Sequence, residues 1–576
     1  MRSNLFRFLC LIFLPATLLA QTNPASEPKA ATDNKRGVIT GQVLADDGQP
    51  LIGVGVSVFS QAGARSAGRP ATTDEDGNFK VNDLPPGSYS VLPRVNGYVL
   101  AQRDAFKQRY RLGESVTITM VKGGVITGKV YDTAGQPLVG AVVQAKRIRD
   151  DAERAIVGDG LYRDAPSDDR GVYRIYGLDA GSYLVSTNGG YGLFSNDQFK
   201  EAPTYHPNST HDTAQEVSLA AGAIVTAIDI RHRGERGAVI SGLFSGLYEQ
   251  KSDASSNLNV QLTLAATGAL VTQANVSVRY TGKNAFAFYG MADGEYELVA
   301  QRRNFNRQAG EESAASTVRK VTVKGADVTG IELRLLPLAS IAGRVTMETI
   351  EKKDCPLTRR GVMEEVSLTY QRDERDTRTL GTTETAPDEK NEFGWQELLA
   401  GRYRLATMLP SDHWYLKAMT VTAKPTTAKT PASKPLDVAR QGLDLKAGEK
   451  LTGVTLTIAE GAAELRGRVT GTDLPARLRV HLIPAEKDDD VLRYFEVVTR
   501  DGAFTFTNVA PGKYWLSTRF VPEDESDEKP AKPVAWDAEG RAKLRRDAEA
   551  ANNAVTLTTC QRVKAHTLVF SSTVGK

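Results

Sequence analysis

Cysteine is scarce in this chain, with three in 576 residues at Cys10, Cys355 and Cys560. That excludes a fold stapled by many disulfides. Histidine is nearly as scarce, six residues scattered singly. Neither cysteine of the later chain carries a catalytic-histidine signature. No Gly-x-Ser-x-Gly elbow and no Gly-x-x-x-x-Gly-Lys-Ser/Thr phosphate loop occurs. The formal charge is +3, and losing Arg2 and Arg7 with a leader takes away two, leaving +1. No basic field marks the chain for nucleic acid. After residue 20 no apolar run is long enough to cross a bilayer as a helix.

What is present begins with MRSNLFRFLCLIFLPATLLA, residues 1–20, two arginines followed by a short apolar run and a small residue. This reads as a secretory signal peptide cleaved after Ala20. No cysteine stands at that point to take a lipid. Residues 21–36, rich in Ala, Asn, Pro and Lys, read as a solvated linker. The expectation is an exported protein, periplasmic, envelope-associated or extracellular. In an oxidising compartment Cys355 and Cys560 could pair, and two separate buried thiols remain the alternative.

One phrase recurs five times without gaps. An aromatic residue stands ten positions before a tyrosine in Phe79/Tyr89, Tyr173/Tyr183, Phe286/Tyr296, Phe393/Tyr403 and Phe504/Tyr514. A glycine stands two before each tyrosine, at Gly87, Gly181, Gly294, Gly401 and Gly512. An apolar residue stands five before it, at Leu84, Leu178, Met291, Leu398 and Val509. Each copy is preceded by apolar-x-Gly-x-apolar, as in Ile39-Thr-Gly41-Gln-Val43. Copies two to four close on GAIVTAIDI, GADVTGIEL and GEKLTGVTL.

These phrases alternate apolar and polar residues, the period of a half-buried strand. Leu84-Pro85-Pro86-Gly87 supplies proline and glycine where a type II turn needs them, which predicts a hairpin between the flanking strands. Short strands with regular turn signals predict an all-β chain of about five antiparallel β-sandwiches, immunoglobulin- or transthyretin-like, with one short C-terminal helix. The expected boundaries are 37–122, 123–235, 236–338, 339–460 and 461–576.

ITGQVLADDGQPLIGVGVSVF with TDEDGNFKVNDLPPGSYSVLP resembles the carboxypeptidase regulatory-like domain, a transthyretin-like sandwich also grouped with carbohydrate-binding-like folds. The second copy, ITGKVYDTAGQPLVGAVVQA with DDRGVYRIYGLDAGSYLVS, resembles it too, whereas copies three to five lose most of the Pro-Leu-x-Gly segment. The resemblance implies the fold and a noncatalytic accessory role, with no cofactor.

Other chemistry finds thin support. His232-Arg233-Gly234-Glu235 fits a His-x-x-Glu pair, but a catalytic zinc needs a third ligand, an open position and a base. His206 and His211 share one loop without evident further ligands. Asp74-Glu75-Asp76-Gly77-Asn78 and Asp46-Asp47-Gly48 offer oxygens to calcium but lack the full EF-hand spacing, and Asp-Gly is ordinary turn chemistry. Pilin-type modules self-crosslink using a glutamate whose positions here hold Pro93, Thr187, Ala300, Thr407 and Thr518. That chemistry is not expected.

Ligand contact is a different matter. Trp395 and Trp515 fall in or beside repeat strands, where packing accounts for them. Trp414 and Tyr415, in SDHWYLKA, follow the fourth repeat and are the candidates for an exposed aromatic platform. Residues 536–552 read as a helix capped by Asp537 with Ala542, Leu544, Ala548 and Ala551 as a thin apolar stripe. The reading is a noncatalytic exported binding, adhesion or spacer protein taking a carbohydrate or envelope-protein ligand, monomeric or weakly self-associating. The alternative is an accessory subunit of an exported peptidase or glycan-processing enzyme.

Overall fold

Alternating burial shows why these segments became strands. Along Asn78–Leu84, Phe79, Val81 and Leu84 are buried while Asn78, Lys80 and Asn82 face water. The computed structural model describes residues 36–570 apart from 61–67, 102–107, 152, 155, 157–161, 188–200, 247–256, 267, 269, 277–284, 304–312, 352–354, 356–360, 374–382, 423–434, 472–473, 476, 487–490, 500 and 523–531. The segments expected to be a signal peptide, 1–20, and a linker, as far as residue 35, lie outside the described residues.

The chain is all-β and multidomain. Five apolar cores follow one another, each drawn from neighbouring sequence: Ile39 to Met120, Ile126 to Ile230, Ile240 to Leu335, Ala339 to Ile458 and Ala463 to Leu568. We number the sandwiches around these cores one to five.

In the first sandwich, Gly37–Ala45 pairs antiparallel with Asn78–Leu84 and parallel with Ser115–Lys122. Facing it, Gly55–Ser60 pairs with Ala71–Thr72 and Ser88–Arg94. The antiparallel pairing expected of the sandwiches therefore holds except at one seam in each copy. In every copy the opening strand runs parallel to the closing one, because the chain crosses between the two sheets before it returns.

The expected hairpin is corrected too. The two strands flanking Leu84-Pro85-Pro86-Gly87 belong to opposite sheets, one beside Gly37–Ala45 and the other beside Gly55–Ser60. The same split holds in copies two, four and five, and in copy three the two strands likewise pair with different neighbours rather than with each other. What looked like a tight turn is an arch carrying the chain over the end of the core. Both strands can then point their apolar residues inward.

The third sandwich departs from the two-sheet plan. Ala314–Ser316 pairs with Gly294–Arg303 on one side and Val328–Pro337 on the other, joining everything into one eight-stranded sheet.

The C-terminal helix is Ala538–Ala551. Asp537 caps it by accepting the Glu539 N–H, and Asn552 ends it at φ 53°. Leu544 and Ala548 are buried against Ile483 and Tyr494, making a small extra core on the outer face of the fifth sandwich. A second, four-residue helix, Val438–Gln441, lies in the fourth sandwich and is capped by Asp437; the sequence reading had not anticipated it.

Covering that outer face has an electrostatic consequence. His481 lies on it, 2 % exposed, with Glu496 Oε2 at 3.5 Å. Burial, assisted by Arg519 and Arg479, pushes its imidazole down to about 3. The unfolded chain then takes up a proton below about pH 6.5 that the folded chain refuses, so stability is present above that pH and falls as pH drops toward 3. We expect His481 to cost about 1 kcal/mol between pH 7 and 5.5, read as a falling denaturant midpoint. His481→Gln should flatten that dependence, and an unchanged slope would refute it.

Candidate functional sites at the arches and sandwich junctions

The repeated Gly-x-Tyr forms a backbone clamp. The glycines adopt φ of 158°, 143°, 157°, 146° and 155° in chain order, a region L-residues avoid and far from the +80° of a type II turn. Each tyrosine ring is buried, and its hydroxyl reaches back four residues to a carbonyl of the arch. Tyr183, Tyr296, Tyr403 and Tyr514 donate to Asp179, Ala292, Leu399 and Ala510 at 2.7, 2.7, 2.7 and 2.6 Å. Tyr89 donates to Pro85 in the same way. Burial pushes the Tyr89 and Tyr296 phenols up to about 12, so both remain donors across ordinary pH. In three copies an arginine grips the next carbonyls: Arg147 donates to Ala180, Arg372 to Ala400 and Arg493 to Pro511.

A second column of special backbone recurs in all five copies. The residue before each recurring apolar position is left-handed, at Asp83, Gly177, Gly290, Glu397 and Asn508, with φ of 62°, 69°, 70°, 61° and 59°. Each sits at a register shift against the opening strand, a bulge that bends the strand into the arch. The signal was available: four of the five are Gly, Asn or Asp, which tolerate this conformation best. Removing one hydroxyl tests the clamp. Tyr296→Phe leaves the Ala292 carbonyl without its donor and should cost about 1–2 kcal/mol in denaturant unfolding, whereas a null change would sink the clamp.

The opening glycine serves packing. A Cβ at Gly343 would come 2.4 Å from the Val454 carbonyl oxygen and 2.5 Å from the Phe393 ring, so the closing strand and the repeat aromatic both seat on bare backbone.

The sequence candidates fall mainly at the junction of the fourth and fifth sandwiches. Lys450–Glu460 passes into Ala463–Thr470 through only Gly461 and Ala462. The His413 carbonyl accepts both linker N–H groups, at 2.8 and 2.9 Å. Its ring nitrogen Nδ1 accepts from Arg562 at 2.7 Å, and Arg562 also pairs with Glu464 at 2.9 Å. Burial, then the Arg562 charge, holds the His413 imidazole below its usual range. From the fifth sandwich the Asn508 amide donates to the Ser411 and Trp414 carbonyls at 2.7 and 2.6 Å. Cys355 and Cys560 are joined by a disulfide, with Cα atoms 5.7 Å apart.

Trp414 is 1 % exposed, which corrects its expected role as an exposed platform. It heads the strand Trp414–Val421, whose pairing with Lys450–Glu460 turns the indole into the fourth core. Tyr415 is half-buried beside it. The other indoles are also engaged. Trp395 is in the same core, Trp515 lies 5.2 Å beneath Arg545, and Trp536 lies 5.2 Å beneath Arg404 of the fourth sandwich. Lys532 reaches Asp373 at 3.3 Å across the same junction.

The His232-x-x-Glu235 pair does not form. His232 Nε2 lies 2.6 Å from Glu201 Oε2 instead, and Glu235 pairs with Arg233 at 2.6 Å. His206 donates through Nδ1 to the Asp229 carbonyl at 2.5 Å, while His211 lies edge-on to Tyr205 with ring centres 5.4 Å apart. Among the described residues no group of three metal-capable side chains gathers. The Asp-rich turns cap backbone. Asp74 accepts from Asp76 and Asn78, Asp168 from Arg170 and Val172, and Asp388 from Lys390 and Glu392, all between 2.7 and 3.1 Å. The hydrogen bond from the Val172 N–H is the main reason the Asp168 carboxyl lies below the usual range.

Distant parts of the chain also touch. Arg109 of the first sandwich pairs with Glu384 of the fourth at 2.8 Å, and Arg111 donates to the Leu409 carbonyl at 3.1 Å. Ser313 of the third sandwich donates to Glu397 of the fourth at 2.9 Å.

Residues 38–121 match the family model of the carboxypeptidase regulatory-like domain, in agreement with the resemblance read for the first sandwich. No curated protein matches the chain. Among solved structures, the Bacillus anthracis TIE protein is similar at 14% identity, covering 52% of this chain and 51% of that one, with a TM-score of 0.14. A streptococcal ancillary pilin is 19% identical over 35% of this chain and 64% of its own, TM-score 0.19. The major pilin subunit of Bacillus cereus is 9% identical over 52% and 99%, TM-score 0.13. The matched part thus spans about half of the Bacillus anthracis protein. Likenesses at this level carry no statement about activity.

Proposed function

We propose that the chain is a noncatalytic, exported spacer and binding protein made of five sandwich modules, 37–122, 123–235, 236–338, 339–460 and 461–576, held in fixed relative geometry. The observation that carries the reading is the junction between the fourth and fifth sandwiches. A two-residue linker, a disulfide and the Arg562–His413 contact hold one sandwich against the next. Holding binding surfaces at set distances benefits from such rigidity, since flexible linkers spread their ends over many separations. Export suits the disulfide, which persists in oxidising compartments. The polar chemistry singled out in the sequence is spent on backbone caps and junction contacts, which supports a noncatalytic role.

An envelope protein is the favoured ligand class. All four tryptophans are engaged within the chain, which removes the main argument for sugar stacking. Small-angle scattering of the mature chain should give one maximum dimension that survives tenfold dilution. Retention of an envelope protein, but of no polysaccharide, on the immobilised chain would support the ligand class. Hydrolysis of peptide or glycan substrates by the purified chain alone would refute the reading.

A further inference from the structure

The loop running from Leu409 to Trp414 is held from two sides by modules far apart in the chain. From the fifth sandwich, Asn508 donates to the Ser411 and Trp414 carbonyls, and the N–H groups of Gly461 and Ala462 meet the His413 carbonyl. From the first, Arg111 donates to the Leu409 carbonyl at 3.1 Å. Beside that bond Arg109 pairs with Glu384 at 2.8 Å, the two side chains 17% and 18% exposed, and Ser367 donates to the same carboxylate from within the fourth sandwich. The arch of the first sandwich lies close by: a Cβ at Gly87 would stand 3.6 Å from the Glu364 carbonyl oxygen.

The loop is built to pass movement on. Pro410 is buried between Leu409 and Ser411, and its ring fixes φ at that point. Gly361 packs against it on bare backbone, since a Cβ there would come 2.4 Å from the Pro410 Cβ. A shift at the Leu409 carbonyl therefore reaches Ser411 instead of being lost in slack chain. The two grips differ in kind. The fifth sandwich is tied by the disulfide and sets Leu492 against the fourth core, whereas the first core is made of its own residues and the first sandwich meets the fourth through charged groups. Such contacts weaken as salt rises. A small contact still suffices to close, because the second and third sandwiches tether the first near the fourth.

We propose that the first sandwich is a releasable brace. Docked through Arg109 and Arg111, it holds the loop in the form that seats the fifth sandwich; undocked, it lets that junction loosen. The two dockings are coupled through one loop, and the coupling is reciprocal. The proposal rests on the junction geometry argued above and is independent of the ligand, so retention of an envelope protein remains a separate test.

Hydrogen exchange of the full chain, disulfide intact, reads the coupling on peptides covering residues 461–462. In Arg109→Glu and Arg111→Ala chains the Gly461 and Ala462 amides should exchange at least about fivefold faster than in wild type, with the central strand Ala339–Glu348 unchanged. Wild type should show the same change on going from about 0.05 to about 0.5 M salt. Lys80→Ala, at an exposed position of the first sandwich, is the control and should leave exchange unaltered. In an Asn508→Ala background, where the fifth sandwich has already lost part of its hold on the loop, Arg111→Ala should add less than half of its effect. Circular dichroism confirms that the variants fold. Unchanged exchange at 461–462 in both arginine variants overturns the proposal, as does faster exchange that extends equally to Ala339–Glu348, or full additivity of Arg111→Ala with Asn508→Ala.

Discussion

Trp414→Ala should destabilise the fourth sandwich by about 3–5 kcal/mol, the range for truncating a fully buried large aromatic. The indole is 1 % exposed inside a core that includes Trp395, Tyr370 and Tyr403. Its backbone carbonyl also accepts from Asn508, so a collapse of the local strand would loosen the neighbouring sandwich. The expected observation is a lowered denaturant midpoint for the transition of the fourth core, with the first three largely unaffected. Trp414→Phe, which keeps most of the volume, should recover much of the loss. A Trp414→Ala chain with wild-type stability would mean that the indole is not buried, and the platform reading would return. The variant is therefore a poor probe of ligand binding, since any lost affinity would be confounded with lost packing.

Five gapless repeats with strand periodicity made the all-β fold legible, because turn and core residues are specified locally. Pairing was not legible. Phe79 and Tyr89 alternate in the same manner whether their strands face each other across a hairpin or lie in opposite sheets, so periodicity alone cannot separate a turn from an arch. The hydroxyl role of Tyr183 or Tyr403 is hidden for a similar reason: burial of the ring alone suffices to place an aromatic at that phase of the strand. Trp414 shows the limit of arguing exposure from position after a repeat. Its burial comes from Lys450–Glu460, more than thirty residues later. The helix was readable because Asp537 and the helix formers after it act locally, whereas the burial it imposes on His481 required the docked position.

Loss of the Cys355–Cys560 disulfide should remove about 3–5 kcal/mol from the paired fourth and fifth sandwiches. The bond closes a loop across 205 residues, and a cross-link over so long a loop takes much entropy from the unfolded chain. It also joins two cores, so its effect should show in cooperativity as well as stability. With the bond intact the two sandwiches are expected to unfold in one transition; in a Cys355→Ala, Cys560→Ala chain they should separate into two. Cys560 has φ of 58°, and alanine there carries the same left-handed cost, so the comparison isolates the cross-link from backbone strain. The contacts of His413, Arg562 and Asn508 are untouched by the change and should keep the junction assembled in the native state. Scattering should then give the same maximum dimension for the disulfide-free chain below its first transition. Unchanged midpoints would show that the bond adds nothing to the stability of either sandwich. A larger maximum dimension under native conditions would show that the disulfide, rather than the two-residue linker and its polar contacts, sets the geometry between them.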